Sequence, residues 1–185
     1  MKLIVVRHAE TNYNVQHLVN YDSSVDVYLT EKGVVQAGKL AEDLRDVRLD
    51  AIFVSRLKRT KQTAEMINKF HEAPIVEDGR LDDVYNGFEG KTVAEAKAWR
   101  NSQLDPVNAK RSDEWESVAD VNVRVRDFLD DVAKRDEQTI LVVTSSHLVK
   151  HFRLINEGRP VSDALSGTTP NAEIYEMKIE KGGDA

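Results

Sequence analysis

Four short apolar runs rich in β-branched residues, at 2–6, 51–55, 75–77 and 139–144, constrain the fold more than any other feature of this chain. Such runs read as buried strands. Helical patterns separate most of them. Thr30 can cap a helix that carries Gln36, Leu40 and Leu44 along one face, with Gly33 and Gly38 weakening it. A second helix, at 57–70, follows the second run directly. Ser117 can cap a long helix that buries Val121, Val125, Phe128, Leu129 and Val132 at helical spacing, and a further helix starts near His147. An alternating segment at 172–179 fits an edge strand. Strands alternating with helices predict an α/β fold of three layers, α/β/α, around a mostly parallel mixed sheet.

With 185 residues the chain is expected to form one domain, 1–185, large enough for a well-buried core. No repeat, low-complexity tract or flexible linker interrupts it. The stretch at about 79–117, which holds both tryptophans, reads as an irregular, lid-like excursion over the edge of the sheet. Residues 181–185 are expected to fray.

Lys and Arg total 26 against 32 Asp and Glu, a net charge of −6. That balance argues against nucleic acid or an anionic membrane as the main partner, yet leaves room for a local cationic pocket. The chain has no cysteine, which removes disulfides, thiolate catalysis and zinc sites built on Cys. The N-terminal apolar run is too short for a signal peptide or a membrane span, so a cytoplasmic location is expected.

In an open parallel sheet, ligands bind outside the carboxyl ends of the strands. The first strand runs into Arg7 and His8, the second leads to Arg59 at the start of a helix, and the fourth leads to His147. Two histidines and at least one arginine thus converge on one edge. Arginine forks and helix N-termini suit a phosphoryl group. Neighbouring guanidinium charges would also keep His8 neutral and nucleophilic near pH 7. A leaving alkoxide then needs a proton, for which Asp82 and Asp83 are the candidates.

The sequence Arg7-His8-Ala9-Glu10-Thr11, with Asn14 three residues on, resembles the signature of the histidine phosphatase superfamily, also called phosphoglycerate mutase-like. The likeness continues through Leu29 to Gly33, Ser55 to Ala64, Leu81-Asp82-Asp83, Glu89-Gly90, Glu116-Ser117, Arg124-Val125 and His147, in family order. It implies a phosphoglycerate mutase-like fold and a metal-independent hydrolase that cleaves phosphomonoesters of a small metabolite through a phosphohistidine, with no cofactor. By this resemblance His8 is the nucleophile, Arg7, Arg59 and His147 form the phosphate pocket, and Thr11 and Asn14 bind the substrate's phosphate. Asp83 falls on the acid–base position. The chain is one residue short between Gly87 and Glu89, and anchoring on Glu89 moves that role to Asp82. Ala9 replaces the family's usual Gly, which is tolerated if φ there is negative. Leu148-Val149 replaces the usual Gly-Gly, and its bulk is expected to narrow the pocket or alter its substrate.

Plainer readings stand beside these. His147 and His151 have the spacing of a metal pair but lack the intervening Glu of metalloproteases and further ligands. His17 and His71 read as surface residues, Trp99 and Trp115 as lid packing, and Lys58, Lys61 and Lys69 as a solvated helix face. A cofactor-dependent phosphoglycerate mutase and a non-catalytic phosphate-binding module are the alternatives, the first disfavoured by the shortness of the chain. Sequence leaves the physiological substrate and the oligomeric state open.

Overall fold

The computed structural model describes residues 1–180; the tail at 181–185 lies outside them. Five strands form one sheet: β1 (Lys2–Arg7), β2 (Ala51–Val54), β3 (Ile75–Glu77), β4 (Thr139–Thr144) and β5 (Ile174–Lys178). Their order is β3-β2-β4-β1-β5, with β5 antiparallel and the rest parallel. The sheet is therefore mixed and mostly parallel, as expected.

Alternation along the strands divides the core in two. Leu3, Val5, Phe53, Ile140 and Val142 face α5 (Val118–Ala133) and α6 (Ser146–Asn156), which contribute Val121, Val125, Phe128, Leu148, Val149 and Phe152. Ile4, Val6, Ile52, Val54, Leu141 and Val143 face α2 (Glu31–Leu44) and α3 (Lys58–Asn68) through Leu40, Leu44, Ala64 and Ile67. Burying side chains of this size stabilises by about 1.5–3 kcal/mol each. Phe128, edge-on to Phe53 and Phe152 at centroid distances of 5.5 and 5.9 Å, locks α5 to both sheet and α6.

Two expectations need correction. β3 is not buried: it pairs only with β2, and Ile75 and Val76 are each 38% exposed, because it is the edge of the sheet. The excursion is less irregular than expected, since it contains α4 (Val93–Asn101), opened by a capping box between Thr92 and Glu95. It is fastened to the loop that follows the short helix α1 (Asn12–Val15). Val93 N–H donates to the His17 carbonyl at 2.8 Å and Val19 N–H to that of Lys91 at 2.8 Å. Within the excursion, Tyr85 and Trp115 pack on each other and on Tyr21 of that loop, and Phe88 packs on Trp99. No helix among the described residues is long and apolar enough to cross a membrane.

Candidate active site

Because β1, β2 and β4 are parallel, their carboxyl ends open on one side of the sheet. A cavity of about 430 Å³ lies there. Arg7 and His8 enter it from the end of β1, Arg59 from the first turn of α3, and His147 from the first turn of α6. Thr11, Asn14 and Asp83 complete the set read from sequence.

Three elements hold the segment after β1 in place. His8 N–H donates to the Thr144 carbonyl of β4 at 2.9 Å. Ala9 N–H donates to Thr63 Oγ1 of α3 at 3.2 Å, and Glu10 N–H to Gln36 Oε1 of α2 at 2.8 Å. Ala9 is fully buried and has no positive φ, so the methyl group in place of the family's Gly is accommodated. Gly33 explains itself here: a Cβ at that position would lie 2.0 Å from the Glu10 carbonyl oxygen.

His8 is 2% exposed, and its Nδ1 lies 2.8 Å from its neighbour's carbonyl, Ala9 O. A carbonyl only accepts, so Nδ1 carries the proton and Nε2 presents its lone pair. Burial, then the charges of Arg59 and Arg7, push the imidazole well below its usual range and keep it neutral.

Arg59 is fixed by Asn20, donating to its side-chain oxygen and, at 3.0 Å, to its main-chain carbonyl. It also reaches Asp83 Oδ2 at 3.1 Å. Arg7 donates to the Thr169 carbonyl, and burial lowers it to about 10, so it stays charged at neutral pH. The Nε of each arginine is buried without a hydrogen-bond partner. Of the α-helices, α3 and α6 are also the two whose N-cap side chains make no capping bond, and their first turns border the cavity. Unpaired guanidinium donors and uncapped helix N-termini meeting in one place form a receptacle for an anion.

Asp83 is the counter-charge. Its Oδ1 accepts from Val84 N–H at 2.9 Å and lies 3.2 Å from His147 Nδ1. Burial raises its pKa, but His147, Arg59 and the Val84 N–H together outweigh burial and hold it below the usual carboxylate range. Asp82 goes elsewhere, binding the Arg56 main-chain N–H at 2.8 Å and its guanidinium at 2.6 and 2.7 Å. Glu89 is likewise engaged, accepting from Tyr21 N–H at 2.7 Å and Asp22 N–H at 2.9 Å and so holding the loop that carries Asn20.

Thr11 and Asn14 cap α1 reciprocally. The Asn14 oxygen accepts from Thr11 N–H and from Asn171 Nδ2, leaving its own NH2 as the available donor. Asn171 also donates to the His8 carbonyl at 3.0 Å. Asn20, Thr169 and Asn171 were not apparent from sequence, nor were Lys97, Arg100 and Lys150, which line the same cavity. The capping box at Thr92 could have revealed the helix bearing Lys97 and Arg100; loop residues such as Asn171 carry no sequence signal.

Leu148 and Val149 correct another expectation. Both are fully buried in the core under the sheet, so their bulk does not narrow the cavity. His151 is also buried, 3.4 Å from Asn122, and no three His, Asp or Glu side chains gather as a metal-ligand set among the described residues. His17 is exposed at the cavity rim, while His71 is half-buried rather than on the surface. Trp99 and Trp115 pack within the excursion. Lys58 and Lys61 are salt-bridged to Asp26 and Glu77.

The profile of the histidine phosphatase superfamily, branch 1, matches residues 3–185. The chain is 35% identical over 156 residues to phosphoserine phosphatase 1 of Hydrogenobacter thermophilus, covering 80% of this chain and 72% of that protein. It is 34% identical over 133 residues to the fructose-2,6-bisphosphatase TIGAR of Xenopus tropicalis, covering 69% of this chain but only 48% of the relative. Among solved structures, YhfR of Bacillus stearothermophilus superposes with a TM-score of 0.81 at 27% identity, covering 98% and 92% of the two chains. A phosphoserine phosphatase from Entamoeba histolytica, at 23% identity and a TM-score of 0.77 over 95% and 89%, shares the fold.

Proposed function

The chain belongs to the histidine phosphatase superfamily, branch 1, and we propose that it hydrolyses phosphomonoesters of a small metabolite through a phosphorylated His8. The observation that carries this reading is a buried, neutral imidazole set between Arg7 and Arg59, whose Nε groups lack partners. Such a base attacks phosphorus; an imidazolium could not.

In the first step the Nε2 lone pair of His8 forms an N–P bond as the ester P–O bond breaks in line. Arg7, Arg59 and His147, with donors from Thr11 and Asn14, hold the charge on the transferring group. The departing oxygen takes a proton from Asp83. In the second step Asp83 accepts a proton from water, whose oxygen attacks phosphorus. The N–P bond breaks, phosphate leaves and His8 is restored.

Asp83 is ionised in the resting site, which makes it a poor acid. An arriving phosphate competes for Arg59 and His147 and places negative charge beside Asp83, and both effects raise its pKa toward a useful value. The same reading makes the partner a small phosphate ester met in the cytosol, not nucleic acid, in keeping with the net charge of −6.

Rapid quench during turnover is expected to trap an acid-labile, alkali-stable phosphoryl group on the peptide bearing His8. His8→Ala should lose both the adduct and turnover, and an adduct on another residue would refute the mechanism.

A further inference from the structure

Outside the cavity, every half-buried Lys or Arg among the described residues is paired with a carboxylate: Lys2, Lys61, Arg80, Arg124 and Arg153 bind Glu176, Glu77, Asp78, Glu116 and Glu173. Arg100 and Lys150 are equally half-buried and have no carboxylate partner. Lys97, one turn before Arg100 on α4, is exposed and makes no ion pair. All three line the cavity that contains His8.

Their surroundings fix them without neutralising them. Lys150 Nζ donates to the carbonyls of Ala164, Ser166 and Gly167 at 2.8, 3.3 and 3.3 Å. Arg100 donates to the Leu165 carbonyl at 3.0 Å, and its Nε is buried with no partner. Burial and the charges of Arg100 and Lys97 lower Lys150 to about 8, which places the three cations within each other's field. Asp83 is the acid that acts on Lys150, and it is already bound to Arg59 and His147. A cluster of like charges with an unfilled buried donor costs stability unless an anion visits it.

We infer that Lys97, Arg100 and Lys150 form a second anion subsite, and that the substrate is a small phosphomonoester carrying a second negative group, a carboxylate or a phosphate, at its other end. This rests on the phosphatase reading and deepens it. The ester phosphate would lie against Arg7, Arg59 and His147, and the second group against α4 and α6, across a cavity sized for a small metabolite. The excursion would thus set substrate choice through charge.

A matched series tests it: propyl phosphate, 3-(phosphonooxy)propanoate and propane-1,3-diol bisphosphate. The wild-type protein should prefer at least one doubly charged probe over propyl phosphate by tenfold or more in kcat/KM, mostly through KM. The arm that wins identifies carboxylate or phosphate as the second group. Lys97→Gln and Arg100→Gln should each shrink that preference ratio by about tenfold, the size expected for one lost charge-assisted hydrogen bond. Arg100→Lys should restore part of it, and Lys39→Gln, an exposed cation on α2, should leave the ratio at its wild-type value. A ratio near one in the wild-type protein, or one insensitive to both substitutions, overturns the subsite. If no probe turns over, the phosphatase reading fails instead, and calorimetric affinities for the same three probes then test the subsite alone.

Discussion

Asp82 and Asp83 are neighbours in the chain with different surroundings, because Asp82 has extended backbone angles, φ −64 and ψ 157, and successive side chains of an extended segment point opposite ways. One carboxylate meets Arg56 and the other meets Arg59 and His147. The proposed roles separate in kinetics. An alkyl alkoxide needs a proton to leave, so Asp83→Asn should lose about 10²–10⁴-fold on alkyl phosphates. A nitrophenolate needs little protonation, and its phosphorylation step should suffer much less. Asp82→Asn should stay near wild type on both, because it gives up only a surface pair with an exposed arginine. The reverse pattern would transfer the acid to Asp82. Sequence could not separate the two acids, since a one-residue shift in alignment exchanges them; the backbone angles decide only which carboxylate faces Arg59 and His147. Arg7, His8, Arg59 and His147 were legible because each ends a strand, directly follows one or opens a helix. Asn20, Thr169 and Asn171 were not, since they come from loops brought to the site by tertiary packing alone.

At the scale of elements, α2 sets the position of the loop that carries His8. Thr30 caps it as the sequence indicated, and its first turns clamp Glu10 through the Thr30 main chain and the Lys32 and Gln36 side chains. The glycine that looked like a weakness in this helix is what permits that approach. Gly33→Ala should normally favour a helix by about 1 kcal/mol; here the added carbon would overlap a backbone oxygen, and overpacking of this kind costs about 1–3 kcal/mol. Net of the helix gain the loss is up to about 2 kcal/mol, so the melting temperature should fall by up to about 8 °C, with reduced turnover as the His8 loop shifts. Gly38→Ala in the same helix is the control, because its nearest neighbour would be Met66 Cε at 3.9 Å. It should be neutral or stabilising. Equal shifts for the two variants in a calorimetric scan would disprove the clamp. Periodicity revealed α2, α3, α5 and α6 because each buries one face. It missed α4, which buries no residue completely and is held by its capping box and by bonds to the loop after α1. It also misjudged β3, where an apolar run lies at an exposed edge.

For the whole molecule, acid should be felt well before the carboxylates titrate. Two histidines are buried and neutral. His8 is held well below 6.5 by burial, Arg59 and Arg7. His151 is lowered to about 3 by burial, then by His147, Arg124 and Lys150. Above pH 6.5 these imidazoles are neutral whether the chain is folded or not, and their contribution to stability is fully present. As pH falls below 6.5 the unfolded chain takes up protons that the folded one refuses, so stability is lost progressively down to the folded values. The slope is roughly 1.4 kcal/mol per pH unit for each fully buried histidine. Half-buried His71, also lowered by burial, adds a smaller share of the same sign. Asp83 acts later, because its folded pKa is depressed below 3.8 and its stabilising effect is lost only as pH falls through that lower range. Between pH 6.5 and 5 the histidines should therefore dominate, removing about 3–4 kcal/mol from a stability that for such a protein is on the order of 5–15 kcal/mol. Urea unfolding at pH 7.5, 6.5, 6.0, 5.5 and 5.0 would measure it: the slope of ΔG against pH below 6.5 should correspond to uptake of about two protons on unfolding. His151→Leu should reduce that uptake by about one, whatever it does to absolute stability. A flat profile from pH 6.5 to 5, or one unchanged by His151→Leu, would mean that these imidazoles protonate within the fold, and the neutral His8 on which the proposed nucleophilic attack depends would be in doubt with them.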